Sequence, residues 1–338
     1  MKTQKVRLPD GRVNWTVLDK TGLPVKAVYN FLQYCQNVNR SPNTLRAYAH
    51  HLQAWWTYLD HAQVADWQSA TPSMLAEFIN WLRTTKPYQP SSINAMTTAV
   101  VAFYDFQDQH AGRYTRFGTA SHRQQFARGL ANSQKPSFIL PVPKSIPETL
   151  TMDQAKTLID ACHLKRDRFL LTLLYQTGMR IGQVLGLRHQ DINAAEYTIT
   201  VVPRDDNENG MRAKTRDSYT VHIGTGIVDG YTRYLVDEYP DGLDSEYVFV
   251  ALSGEQRGRP LSYQAVRSLF KRLAKKTGIE THPHVFRHTH VTELLQAGVS
   301  MRIVQERVGH KSIQTTLETY AHLTAEDVRK EFERAGVF

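Results

Sequence analysis

Residues 284–320 read H-V-F-R-H-T, then an apolar helical pattern, then V-G-H-K-S-I-Q-T-T-L-E-T-Y. Thr281 or His282 can cap a helix with Pro283 at its first position, where the missing N–H costs nothing. His284 and Arg287 then stand three apart on one helical face. Gly298 stops that helix, Ser300 caps the next, and Gly309 ends it, leaving His310 at an exposed corner. Ser312 opens a further short helix that carries Tyr320 about two turns along. A guanidinium grips phosphate oxygens with two prongs, an imidazole shuttles protons, and a phenol can act as a covalent nucleophile. Such a set suits phosphate chemistry. By spacing alone, a histidine-rich surface turn followed by a core tyrosine reads the same way.

Two further stretches must deliver partners to this one. The run T-G-M-R-I-G-Q-V-L-G-L-R-H-Q-D-I at 177–192 places Arg180 two residues after a glycine that ends a buried helix. The run A-K-T-R-D-S-Y-T-V-H-I at 213–223 offers Lys214 ahead of a β-like segment. In this order and spacing, residues 149–323 resemble the catalytic domain of the tyrosine recombinases, also called the phage integrase family. The first box is T-G-M-R, the second is H-x-x-R followed by G-H and a tyrosine, and Lys214 sits where the family presents a lysine on a β-hairpin.

The resemblance implies roles. Tyr320 would attack the scissile phosphate to give a 3′-phosphotyrosyl bond and a free 5′-hydroxyl. Because the bond is stored in the protein, no cofactor or metal is needed. Arg180 and Arg287 would hold the non-bridging oxygens against the charge that grows in the transition state. His284 would serve as acid/base near the phenol, Lys214 as general acid for the departing 5′-oxygen, and His310 as a hydrogen-bonding buttress. Two features depart from the family pattern. Gln183 stands where an acid is usual, so a hydrogen bond is expected in place of charged support, and Arg212 and Arg216 flank Lys214. The implied function is site-specific DNA recombination by a homotetramer acting on two double-stranded sites through a Holliday junction.

Three rival readings stand beside it. His282, His284, His288 and His290 invite a metal-dependent hydrolase or nuclease, since two histidines four apart suit zinc. No acid or cysteine accompanies them, and His288 is expected on the back of the helix. A type IB topoisomerase uses similar phosphotyrosyl chemistry, but the two-domain layout and the spacing from G-H to tyrosine favour a recombinase. The intact set of six residues argues against a non-catalytic DNA-binding relative.

Composition agrees with a polyanionic partner. The chain has 338 residues and a net charge of +9. Residues 1–150 hold 16 Lys and Arg against 8 Asp and Glu, the remainder 25 against 24, so the excess lies in the front half. Cys35 and Cys162 form no framework and suit a reducing cytoplasm, where a nucleoid-associated protein is expected. No apolar run approaches the roughly 18 residues of a membrane span, and no charged-then-apolar leader opens the chain.

The expected fold is mainly α with a small antiparallel β-sheet, an α+β catalytic domain joined to an N-terminal helical-bundle DNA-binding domain. Residues 1–23 form a short arm or hairpin, with turn signals at Asp10-Gly11 and Thr21-Gly22. Residues 24–111 form a helical domain: Ser41 and Thr71 cap helices that open with proline, and Ser91 or Ser92 starts another. By resemblance this is the core-binding domain, which clamps DNA opposite the catalytic one, with Arg40, Arg46, His50 and His51 facing either the groove or solvent. Residues 112–148 read as a basic, proline-containing linker, with Arg123, Arg128 and Lys144 available to phosphates. In the catalytic domain, 149–323, Thr151 caps a helix, and segments 197–202, 218–223 and 247–251 are β-like. Residues 324–338 form a C-terminal helix that packs on its own domain or, as the resemblance implies, docks in trans on a neighbouring subunit.

Overall fold

The computed structural model describes residues 1–7, 13–110, 138–143, 147–213, 215 and 217–309. The chain divides into two compact units, Met1–Lys144 and Ser145–Phe338. Among the described residues no helix is long and apolar enough to cross a membrane. The turn signal at Asp10-Gly11, the linker residues Arg123, Arg128 and Lys144, and the helix expected at 324–338 lie outside the described residues.

The first unit opens with an antiparallel hairpin, β1 (Lys2–Arg7) paired with β2 (Val13–Leu18). It is not a loose arm. Asn14, Thr16 and Val17 of β2 are buried, and the strand packs against α1 (Lys26–Asn37) and α2 (Pro42–His61). Two helix starts follow from one device, a hydroxyl that satisfies an otherwise unpaired N–H of the first turn. Ser41 Oγ accepts from Thr44 N, and Thr71 Oγ1 accepts from Met74 N to open α3 (Pro72–Thr85). The fourth helix, α4 (Pro90–His110), begins at Pro90, just ahead of the serines expected to start it. Proline fits there because a first-turn N–H has no intrahelical partner to lose.

The helices close on Trp55, which is fully buried. Its indole Nε1 donates to the Tyr104 hydroxyl at 3.2 Å, and that hydroxyl donates to the Trp67 carbonyl at 2.7 Å. The polar edges of the aromatic core are thereby satisfied, as burial requires. Phe138 and Leu140 pack on the same core. Asn94 of α4 binds the backbone of Leu140 on both sides, Oδ1 accepting from its N–H at 2.8 Å and Nδ2 donating to its carbonyl at 2.9 Å.

The second unit starts with α5 (Met152–Asp160), closed by a capping box in which Thr151 and Gln154 bond each other's backbone N–H. The buried helix α6 (Lys165–Thr177) follows, then the short α7 (Ile181–Val184). Strands β3 (Ile192–Asn193), β4 (Thr198–Val201) and β5 (Tyr219–His222) form an antiparallel sheet in that order. Among the described residues four helices follow: α8 (Thr225–Asp237), α9 (Tyr263–Thr277), α10 (Pro283–Gln296) and α11 (Met301–Val308).

One β-like segment is not a strand. Residues 247–250 are buried, but their backbone pairs with loops: Val248 N donates to Leu187 O, and Leu261 N to Phe249 O. An apolar run buried on both sides resembles a central strand by composition, and here irregular neighbours take its hydrogen bonds. The third strand of the sheet is the two-residue β3. With that exception the architecture is mainly helical with small antiparallel sheets.

Candidate active site

The site begins where α6 stops. Gly178 sits at φ +62, in the left-handed region that favours glycine. It is also hemmed in, since a Cβ there would lie 2.7 Å from His290 Cδ2. The chain turns at this glycine and delivers Arg180 to the N-cap of α7, where Gln183 Oε1 accepts from Arg180 N at 2.8 Å. The hydrogen bond expected of Gln183 is therefore present, though it holds the backbone of Arg180 and not the guanidinium. Arg180 Nη1 reaches toward the Gly309 carbonyl at 3.4 Å. Burial pulls its pKa down, opposed by Tyr219.

Helix α10 opens at Pro283 with His282 at the N-cap position, its side chain making no capping bond. Arg287 is buried on this helix and bridges two chain segments. Its Nη1 donates to the Gly178 carbonyl at 2.7 Å and its Nη2 to the Val308 carbonyl at 2.9 Å. His284 is more exposed. Burial, then His288, Arg287, His282 and Arg180 hold its imidazole below the ordinary pKa of 6.5, so it is neutral at pH 7 and able to take up a proton. His288 does not lie on the back of the helix. Its ring centroid is 6.2 Å from that of His284, as residues four apart on one face should be.

The two arginines thus arrive from separate elements at one backbone corner, 308–309, that ends α11. Gly309 takes φ +63, and a Cβ on it would lie 2.7 Å from the Tyr219 ring. Tyr219 of β5 forms the floor beneath this corner. Burial raises the pKa of its phenol, while Arg287, the Gln183 amide and Arg180 pull the other way. Arg212 approaches from a different direction: a Cβ on Gly182 would lie 2.6 Å from its carbonyl oxygen. Lys214, His310 and Tyr320 lie outside the described residues. Of the six residues singled out for chemistry, Arg180, His284 and Arg287 are therefore brought together. In the first unit, Arg40 is exposed, Arg46 lies 5.6 Å over the Trp15 ring, and His50 is 3.2 Å from Thr3 Oγ1.

Spacing alone did not single out three neighbours of the site. Tyr219 reads only as a strand residue, His290 only as one of several histidines, and no motif marks Arg307. Asp191 of the first box lies apart, paired in bidentate fashion with Arg204 at 2.6 and 2.7 Å. His290 Nε2 accepts from Arg307 Nε at 3.0 Å. Burial first, then Arg307, pushes the His290 imidazole down to about 4. A histidine held neutral this way stabilises the fold above its unfolded pKa of 6.5, and that stability is lost as pH falls through 4. Acid melts from pH 7 to 4 should therefore show a loss of about 3 kcal/mol that His290→Gln largely removes. Identical pH profiles for the two proteins would contradict this.

Residues 148–327 match the phage integrase family, and residues 28–109 match the phage integrase N-terminal SAM-like domain. Over an alignment 360 positions long the chain is 33% identical to transposase A from transposon Tn554 of Staphylococcus aureus, covering 99% of this chain and 98% of that protein. The chain belongs to the phage integrase family. A second relative in this family, tyrosine recombinase XerA of Pyrococcus furiosus, is 29% identical over 91% of this chain and 93% of its own length. The fold is that of the Tn1549 transposon integrase solved in complex with transposon right end DNA, with TM-score 0.68, 19% identity and coverage of 92% of this chain and 99% of that one. It is likewise that of the XerH site-specific recombinase bound to palindromic difH substrate, with TM-score 0.65, 17% identity and coverage of 92% and 84%. As a phage integrase the protein is a tyrosine recombinase that breaks and rejoins DNA in site-specific recombination. The hydrolase, topoisomerase and non-catalytic readings give way to this one.

Proposed function

We propose that the protein cleaves each strand through a 3′-phosphotyrosyl bond to Tyr320. The phenol oxygen attacks phosphorus, the P–O5′ bond breaks, and the strand leaves with a free 5′-hydroxyl. His284 takes the phenolic proton, and Lys214 gives one to the departing oxygen. Arg180 and Arg287 hold the non-bridging oxygens, with His310 beside them. Attack by the 5′-hydroxyl of a second duplex reverses the chemistry and rejoins the strands. The energy of the bond is conserved throughout, so the step calls for no cofactor or metal.

One observation carries this reading. Two guanidiniums from separate elements converge on one backbone corner beside a neutral imidazole, an arrangement matched to a phosphodiester. In the first unit and the segment after it, Arg40, Arg46, Arg123, Arg128 and Lys144 would contact the DNA backbone. Residues 24–111 would serve as the DNA-binding domain, 112–148 as the linker and 149–323 as the catalytic domain, with 324–338 docking in trans. A homotetramer would hold two duplexes and pass through a Holliday junction. The resemblance to a transposase supports a role in moving a transposon.

The experiment is to trap covalent protein–DNA adducts in cells and sequence the attached strand ends. A recurrent site joined through its 3′ end is expected, with recovery unaffected by chelator. Adducts on 5′ ends, or their loss in EDTA, would defeat the proposal. Affinity gives a second check. Binding to the recovered duplex should weaken by roughly 0.9 log units per log unit of salt for each phosphate neutralised. Because the excess positive charge lies before residue 150, a fragment from Thr149 onward should bind far more weakly and with a shallower slope. Equal affinity and slope would show that the first unit contributes no phosphate contacts.

A further inference from the structure

Behind the arginine pair lies a third guanidinium. Arg307, in the last turn of α11, donates through Nε to His290 Nε2 at 3.0 Å, through Nη1 to the His222 carbonyl at 3.1 Å and through Nη2 to the Gln176 carbonyl at 2.9 Å. These acceptors belong to α10, the end of β5 and the last turn of α6. Helix α10 carries His284 and Arg287, α6 runs through Gly178 into Arg180, and β5 carries Tyr219. One planar fork therefore touches α10, β5 and α6 and sits itself on the helix that ends at Gly309.

Charge attraction does not explain the arrangement. Among the described residues no carboxylate lies within ion-pair distance of Arg307, and burial pulls its pKa down. A partly buried cation held only by neutral acceptors is costly, so its geometry must supply the compensation. A guanidinium sends its N–H groups outward in one plane from a rigid centre, which an ammonium cannot do. The acceptor on α10 is shaped for it. Among the described residues the groups facing His290 are Arg307, Arg287 and the Tyr175 carbonyl, and Gly178 leaves its ring room to lie flush.

We infer that Arg307 is a positioning residue for strand cleavage: it registers α11, and with it the corner at Val308 and Gly309, against the elements bearing Arg180 and Arg287. The inference rests on the phosphotyrosyl reading above. Displacing a reacting group by about 1 Å costs on the order of 100-fold in rate. A loss of that size with unchanged affinity is the signature of positioning.

The probe is the duplex recovered from the wild-type covalent adduct, used in single turnover. Arg307→Met should cleave it about 100-fold more slowly, with Kd within about threefold of wild type, and Arg307→Lys should recover only part of the loss. In the 15N spectrum, the His290 imidazole should titrate near 4 in the wild type and higher in Arg307→Met. Cleavage by Arg307→Met within about threefold of wild type would overturn the inference. So would a Kd that rises in step with the lost cleavage, or full recovery by Arg307→Lys, which would make charge alone sufficient. If Arg307→Met does not fold, His290→Gln and His290→Leu decide. The amide still offers an acceptor and should keep near-normal cleavage, whereas leucine should show the slow phenotype. Equal cleavage by the two would refute the clamp. A wild type that forms no adduct on any duplex would instead count against the proposed chemistry, so the two failures are distinguishable.

Discussion

Tyr320→Phe binds the recovered duplex with the affinity of the wild type and forms no SDS-stable adduct. That is the expected result, because the substitution removes one hydroxyl and leaves the ring, the charge and every proposed phosphate contact in place. Losing a covalent nucleophile lowers the rate by on the order of 10⁴-fold or more, which puts adduct formation below detection. The measurement is a denaturing gel of end-labelled duplex beside a binding isotherm at the same salt. An SDS-stable band from the variant would move the nucleophile to another residue. A parallel loss of affinity would show that the hydroxyl serves mainly in binding.

Arg287→Lys and Arg180→Lys should part company. Both lose a two-pronged grip on phosphate, so both should cleave about 10²–10³-fold more slowly. Only Arg287 also bridges the Gly178 and Val308 carbonyls, at 2.7 and 2.9 Å. Leaving two buried acceptors unsatisfied costs about 1–3 kcal/mol each, so Arg287→Lys should unfold about 3 kcal/mol more readily. Among the described residues the Arg180 guanidinium makes one long contact, 3.4 Å to the Gly309 carbonyl, and its replacement should change stability by less than about 1 kcal/mol. Urea melts beside cleavage assays separate the cases. Equal stability losses would mean that the two arginines share one structural duty.

What could be read from the residues was local. Ser41, Thr71 and Thr151 each bond an N–H three residues ahead, so their helix starts are written in four consecutive positions. The apolar stripes of α2 and α3 face inward as their periodicity requires. The pairing of Arg180 with Arg287 was legible only through a family pattern, because 107 positions separate them in the numbering. What escaped notice depends on distant partners. Arg307 meets Gln176 and His222 across 131 and 85 positions, and no local period marks such a residue. Segment 247–251 misled for a related reason, since β-like composition reports burial and not what the backbone pairs with. Arg46 lies over Trp15, 31 positions away in the hairpin, a neighbour that no local spacing marks.

The bond pair between Asn94 and Leu140 bears on protein engineering. It fixes Leu140 to the same unit, and to the same core, as α4. An insertion at 111–137 adds chain between two points of one unit, at an entropic cost that grows only with the logarithm of its length. From Leu140 to Leu150, whose N–H donates to Thr289 Oγ1 of the second unit, run ten steps of chain, at most about 33–36 Å when fully extended. A fluorescent module spliced into the former should leave that reach untouched. Each residue added to or cut from the latter changes its greatest extent by about 3 Å.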